Sequence, residues 1–182
     1  LLMVGIFIIG ASSYSSPTNA SPPSGELRAL PLEFRDSDGA VAKFEQLAGR
    51  WLVVAMAYTT CGSTCPMTYG KLLELRKLLD AAGKKADIVI ITFDSKTDTP
   101  QALNEFRKKK GLSDASWHLW TAPETTIRKF SALLGIKHRQ NKLSGEIMHD
   151  NKIILFDPAG VRQVVLEKLS SPVSEIVDAI RK

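Results

Sequence analysis

Cys61 and Cys65 are the only cysteines in the 182-residue chain, and three residues, Gly62-Ser63-Thr64, separate them. The run Trp51-Leu-Val-Val-Ala-Met-Ala-Tyr58 precedes them, continuously apolar as a buried parallel strand would be. After them, Pro66 to Asp80 carries Leu72, Leu75 and Leu79 at helical spacing. The spacing therefore predicts a strand-to-helix turn holding both sulfurs. Pro66 suits the first helical position, which predicts Cys65 as the N-cap. A thiol there would face unpaired backbone N–H groups and the positive end of the helix dipole, both of which favour thiolate. The chemistry this implies is redox or metal chemistry. Two inert core cysteines, or a plain structural disulfide, are the competing explanation. Neither needs a helix N-terminus or a Gly-Ser-Thr spacer.

Thioredoxin-like redox motifs place two residues between their cysteines; here there are three. The wider loop can still close a disulfide, and it also lets two sulfurs converge on one ion. Two thiolates and an imidazole suit copper, with thiolate favouring Cu(I). Zinc would have its fourth position open. Three histidines are available. His118 lies between Trp117 and Leu119 in an expected strand and reads as a packing or edge residue. His138, in Lys137-His-Arg139, reads as surface. His149, in Gly145-Glu-Ile-Met-His-Asp-Asn151, precedes the apolar run Ile153–Phe156, where the expected topology brings it toward the cysteine turn. Spacing alone leaves its role open.

These residues need a scaffold, and the chain is long enough for one domain with its own core. With 44% hydrophobic and 24% charged residues, the composition is that of a globular protein. A net charge of +5 could aid docking to an acidic partner, but the simpler reading is a solvated surface. No basic patch interleaved with aromatics points to nucleic acid. Residues 1–26 read as a signal peptide or membrane anchor followed by a flexible linker. The first ten are apolar and uncharged, too short as displayed to span a bilayer, and residues 11 to 25 are rich in Ser, Pro, Ala and Gly. Thr18-Asn19-Ala20 is a weak cleavage signal. The folded domain is expected over 27–182. An exported chain with two close cysteines lies where disulfides can form.

Within that domain, Leu30–Phe34 and Ala40–Phe44 flank the turn signal Asp36-Ser-Asp-Gly39, predicting a hairpin. A short helical turn should run from Glu45 to Ala48. A second apolar strand is expected over Ala86–Phe93, and a helix from Pro100 to the Lys108-Lys-Lys-Gly111 stop. Those lysines complement a helix C-terminus. Trp117–Trp120 should be a strand and Pro123 should start a helix ending at Gly135. Lys137 to Glu146 reads as a polar loop. Lys152–Phe156 and Val161–Leu166 should pair about the turn Asp157-Pro-Ala-Gly160. Val173, Ile176, Val177 and Ile180 mark the last helix. This order predicts an α/β sandwich with a mixed sheet.

Tyr58-Thr-Thr-Cys-Gly-Ser-Thr-Cys-Pro66 resembles the Cys-x3-Cys-Pro signature of the Sco/SenC proteins. Phe93-Asp-Ser-Lys-Thr-Asp-Thr-Pro100 is similar to that family's acidic strand-end loop, and His149 ahead of Ile153-Ile-Leu-Phe-Asp-Pro-Ala-Gly160 resembles its metal histidine. The likeness runs from about Leu27 to Lys182. It implies a thioredoxin-like fold with a central mixed sheet and an N-terminal hairpin. It also implies export with an N-terminal anchor or signal, and copper held by Cys61, Cys65 and His149. Family members are associated with assembling the binuclear copper centre of cytochrome c oxidase. Asp94 and Asp98 would lie near the site, Asp94 as a supporting residue and Asp98, or Thr99, as the cap of the helix that Pro100 begins. Gly62, Ser95 and Asp150 stand where the family commonly has Pro, Pro and Ser; none of these removes a ligand.

The first functional reading is a copper chaperone, a binding module rather than a turnover enzyme. It would take Cu(I) or Cu(II) and pass it to a copper-receiving oxidase subunit or another copper chaperone. Its place would be the bacterial periplasm or the outer face of the inner membrane, with membrane association through an uncleaved N-terminus. The second is a thiol–disulfide oxidoreductase acting on a partner's copper-binding cysteines. The third, a thiol peroxidase, lacks an evident activating arginine near the cysteine turn.

Overall fold

The computed structural model describes residues 26–62, 65–141 and 143–181. The expected leader and linker over 1–26, Glu26 apart, lie outside the described residues. So do Ser63 and Thr64, which lie between the two cysteines in sequence, and Lys142 and Lys182.

The centre is two strands that are buried at every position, β3 (Leu52–Ala57) and β4 (Asp87–Thr92). Side chains on both faces of such strands must meet apolar layers, which is why both read as unbroken apolar runs. They pair in parallel, and β5 (Trp117–Thr121) adds in parallel beyond β4. The crossovers are α2 (Cys65–Ala81) and α3 (Pro100–Lys109). On the other side of β3, β8 (Ile153–Phe156) runs antiparallel and turns back into β9 (Arg162–Leu166).

The hairpin β1 (Phe34–Asp36) and β2 (Val41–Ala42) joins the far edge through β1 on β5, giving the order β2-β1-β5-β4-β3-β8-β9. Asp36 Oδ1 closes its turn by accepting from the N–H groups of Asp38 and Ala40, and Gly39 takes the left-handed conformation there (φ +83°). The first helical piece, α1 (Glu26–Ala29), precedes the hairpin, and a 3-10 turn over Phe44–Leu47 follows it.

Helix α2 buries Leu72, Leu75 and Leu79, each worth about 1.5–3 kcal/mol when removed from water. Helix α4 (Glu124–Leu134) seats Phe130 against Phe34 and Phe44, with Trp120 closing the cluster, and ends at Gly135 (φ +66°). Helix α5 (Ser174–Ala179) buries Ile176 and Val177. The α/β sandwich with a mixed sheet and an N-terminal hairpin is the architecture expected.

One segment differs. The stretch read as a polar loop contains β6 (His138–Gln140), paired antiparallel with β7 (Ile147–His149) in a separate two-stranded ribbon. Only Ile147 of its six residues is buried, so no alternating apolar pattern announces it. No helix among the described residues is long and apolar enough to cross a membrane.

Candidate metal centre

Topology brings three separate segments to one edge of the sheet. The cysteine loop leaves the C-terminal end of β3, and the Asp94–Thr99 loop leaves the C-terminal end of β4, the edge where parallel sheets place their sites. Because β8 is antiparallel to β3, with Ile153 facing Ala55, the chain entering β8 arrives at that same edge. His149, four residues before Ile153, is carried there by β7.

The ligating atoms of Cys61, Cys65 and His149 all lie within 4.8 Å of one another. Cys65 Sγ is 3.6 Å from His149 Nε2, and the Cys65 N–H donates to Cys61 Sγ at 3.4 Å. No disulfide joins the two cysteines. The other ring nitrogen, His149 Nδ1, is 3.0 Å from the carbonyl oxygen of Asp150. A proton on Nδ1 donates to that carbonyl and leaves the Nε2 lone pair aimed at the sulfurs, the tautomer a metal needs. Phe93 stacks obliquely beside the His149 ring with centroids 4.5 Å apart, and Tyr58 meets it edge-on at 6.0 Å.

Tyr58 also fixes the ribbon. Its buried hydroxyl donates to the Ile147 carbonyl (3.4 Å) and accepts from the Ile147 N–H (3.3 Å). The residue three before Cys61 is thereby bonded to the residue two before His149. Burial pushes the phenol up to about 12, so it stays a neutral donor.

Two expectations about Cys65 are corrected. Helix α2 begins at Cys65 itself, so the cysteine is the first helical residue and not the N-cap. Its thiol is also not poised as a thiolate. Burial, aided by Cys61 and by the negative charge of Asp98, pushes it up to about 12. Desolvation is the largest cause, as Cys65 is only 1% exposed.

The acidic loop divides its roles differently from expectation. Thr99, not Asp98, caps α3, accepting from the Ala102 N–H. Asp98 turns inward and is fully buried, where it accepts from the Thr59 N–H, the Thr59 hydroxyl and the Thr92 hydroxyl. It ties the start of the cysteine loop to the end of β4. Burial raises its pKa in spite of these donors. The signal for this was Thr59 and Thr92, two polar residues at the ends of buried strands that need a partner. Asp94 closes its own loop by accepting from the Thr97 N–H and lines a neighbouring cleft with Phe93 and His138.

His118 sits in β5 with Nε2 3.6 Å from Asp87 Oδ1, a structural contact with a buried carboxylate and not part of the cysteine site. His138 is not a plain surface residue. It is half-buried, faces His149 across the β6–β7 ladder, and rests on Phe93 at 5.1 Å.

The fold and this site together define a thioredoxin-like domain with two thiols and one imidazole positioned for metal binding at the C-terminal edge of its parallel strands. Residues 23–182 match the SCO1/SenC family, and the chain belongs to it. A SCO2-like protein of Rickettsia conorii is 35% identical over 79 residues, which is 42% of this chain and 38% of that relative. The match thus spans well under half of the relative's length. Among solved structures, a SCO1/SenC family lipoprotein from Bacillus anthracis aligns with TM-score 0.75 at 23% identity, covering 80% of this chain and 88% of the other. Arabidopsis thaliana ScoI with copper bound aligns with TM-score 0.72 at 20% identity, covering 82% and 92%. At these identities the structures speak for the fold.

Proposed function

We propose that this protein binds copper through Cys61 Sγ, Cys65 Sγ and His149 Nε2 and delivers it to the binuclear copper site of cytochrome c oxidase. The observation that carries the reading is the convergence of these atoms within 4.8 Å of one another from segments far apart in sequence. Two sulfurs and one imidazole are a soft donor set that favours Cu(I) over hard cations. The copper-bound state of the Arabidopsis relative, and another solved relative described as a member of the Sco family of cytochrome c oxidase assembly proteins, support it. Asp94, at the end of β4, takes a supporting and not a ligating part. We place the protein outside the cytoplasm, in a bacterial periplasm or on the outer face of the inner membrane, held there by residues 1–26 if they are retained. The lipoprotein nature of the Bacillus relative is in keeping with that.

The alternative, reduction of a partner's disulfide, would use the same sulfurs without His149. Disulfide exchange needs an accessible attacking sulfur, whereas Cys61 is 8% and Cys65 1% exposed, which favours metal holding. The test is His149→Ala, assayed for Cu(I) affinity in vitro and for oxidase assembly in cells. Delivery requires both to fall. Lost affinity with normal assembly would leave the copper site incidental and move the reading to the thiol reductase.

A further inference from the structure

Burial of the cysteine sulfurs poses a problem for delivery, since a recipient cannot reach them directly. Beside the centre, the β6–β7 ribbon presents an exposed face, with Arg139, Gln140 and Met148 all exposed. Here His138 and His149 are facing residues of the ladder, so their side chains leave the same face of the ribbon. Both rings lie against Phe93, at 5.1 and 4.5 Å between centroids. A shallow hollow of about 310 Å³ has both imidazoles in its wall. A second cleft, of about 460 Å³, is lined by Phe93, Asp94, Arg128, His138 and Gln140 among others, and by neither cysteine. His138 is the one imidazole common to the two hollows. Lys137, Arg139 and Arg128 line these hollows together with Asp94, Glu124 and Asp150, and Glu124 is paired with Arg128, so it is the two imidazoles and not the surrounding charge that suit a soft ion such as Cu(I).

We infer that His138 is a transfer ligand for Cu(I), taking the ion from the buried centre to the surface while His149 still holds it. The inference rests on the copper-binding reading above. In the exchange, a copper–sulfur bond to one cysteine breaks and a copper–nitrogen bond to His138 forms. The released thiolate takes a proton from water, and no electron moves. His149 stays bound throughout, so the ion is never without a protein ligand. The recipient then displaces the imidazoles at the outer cleft, where no sulfur need be exposed.

The experiment loads reduced full-length protein with one equivalent of Cu(I) and follows its loss to an excess of a bidentate Cu(I) chelator by stopped-flow absorbance. His138→Phe keeps an aromatic ring on Phe93, and His138→Gln keeps a polar side chain; circular dichroism checks that each is folded. Equilibrium affinity should stay close to that of the parent, because the resting ligands are intact. Release should slow by about tenfold or more in both variants, and free imidazole should restore the rate of His138→Gln. Parental release rates in either folded variant would overturn the inference. So would a large loss of equilibrium affinity in both, which would make His138 a determinant of the resting site. Failure of the parent protein to bind Cu(I) at all would instead overturn the copper reading, and this inference with it.

Discussion

His149 Nε2 lies 3.6 Å from Cys65 Sγ across 84 positions of sequence. The contact depends on two features. One is the antiparallel setting of β8 against β3, and the other is the Tyr58 hydroxyl that pins Ile147.

Tyr58→Phe removes the hydroxyl and leaves the Ile147 N–H and carbonyl without their partner in a buried setting. A stability loss of about 1–3 kcal/mol is expected. Because His149 is then less firmly oriented, Cu(I) affinity should fall by about tenfold. Chemical denaturation and competition with a Cu(I) chelator measure the two effects. Unchanged affinity in a destabilised variant would show that Tyr58 supports the fold alone.

Copper uptake should release protons. The Cys65 thiol, pushed up to about 12 by burial and by the neighbouring Cys61 and Asp98, is protonated at neutral pH. A metal must displace that proton. Apparent affinity should therefore rise with pH, by about tenfold per pH unit for each thiol proton displaced. Affinity measured across the neutral range with the chelator's own pH dependence subtracted gives the slope. A flat profile would mean that the sulfurs are already thiolates.

Oxidation should convert the pair to an intramolecular disulfide, since Cys61 Sγ already lies 3.4 Å from the Cys65 backbone nitrogen. The oxidised protein should bind no copper and should recover binding on reduction. Mass spectrometry of the oxidised chain, paired with metal analysis, checks both. Equal copper retention in the two states would remove the cysteines from the ligand set.

Asp98→Ala should be more damaging than loss of an ordinary surface carboxylate. It leaves the Thr59 N–H and the Thr59 and Thr92 hydroxyls without their acceptor beneath the cysteine loop. A destabilisation of about 3 kcal/mol is expected, with weaker copper binding as the loop loosens. Asp94→Ala, which loses a single turn contact to the Thr97 N–H, should have a much smaller effect on stability. Thermal unfolding of the two variants side by side makes the comparison.

Acid should act on the opposite end of the strands. Burial works against the charge of Asp87, but His118 and Arg50 outweigh it and hold its pKa below the ordinary value of 3.8. Its contribution is present above that value and is lost as pH falls through the lower, folded-state pKa. Asp98, with its raised pKa, has the opposite sign, so its burden on the fold lightens as pH falls through its own folded value. Asp87→Asn should flatten the acid limb of stability below about pH 4. A limb as steep as that of the parent would assign acid unfolding to other groups.

Much of this molecule is legible in local pattern. The apolar runs of β3 and β4, the leucine face of α2, the Pro100 start of α3 and the Gly135 stop of α4 are each decided by a few neighbouring residues. Their physical causes are side-chain periodicity, capping and left-handed backbone, all of which act within a few residues. The Cys-x3-Cys spacing likewise puts both sulfurs in one turn, because four positions of chain cannot carry them far apart.

Tertiary structure decided what depends on long-range burial. The β6–β7 ribbon has too few buried residues to show a period, yet it carries His149 to Cys65 and sets His138 beside it. Asp98 reads as a cap until Thr59 and Thr92 draw it inward, leaving the cap to Thr99. Cys65 reads as a thiolate at a helix N-terminus until burial removes it from water and pushes the thiol up. Spacing alone names the two sulfurs and leaves the third donor open among three histidines. Only the packing of segments far apart in the chain determines which of them meet, and in which protonation state.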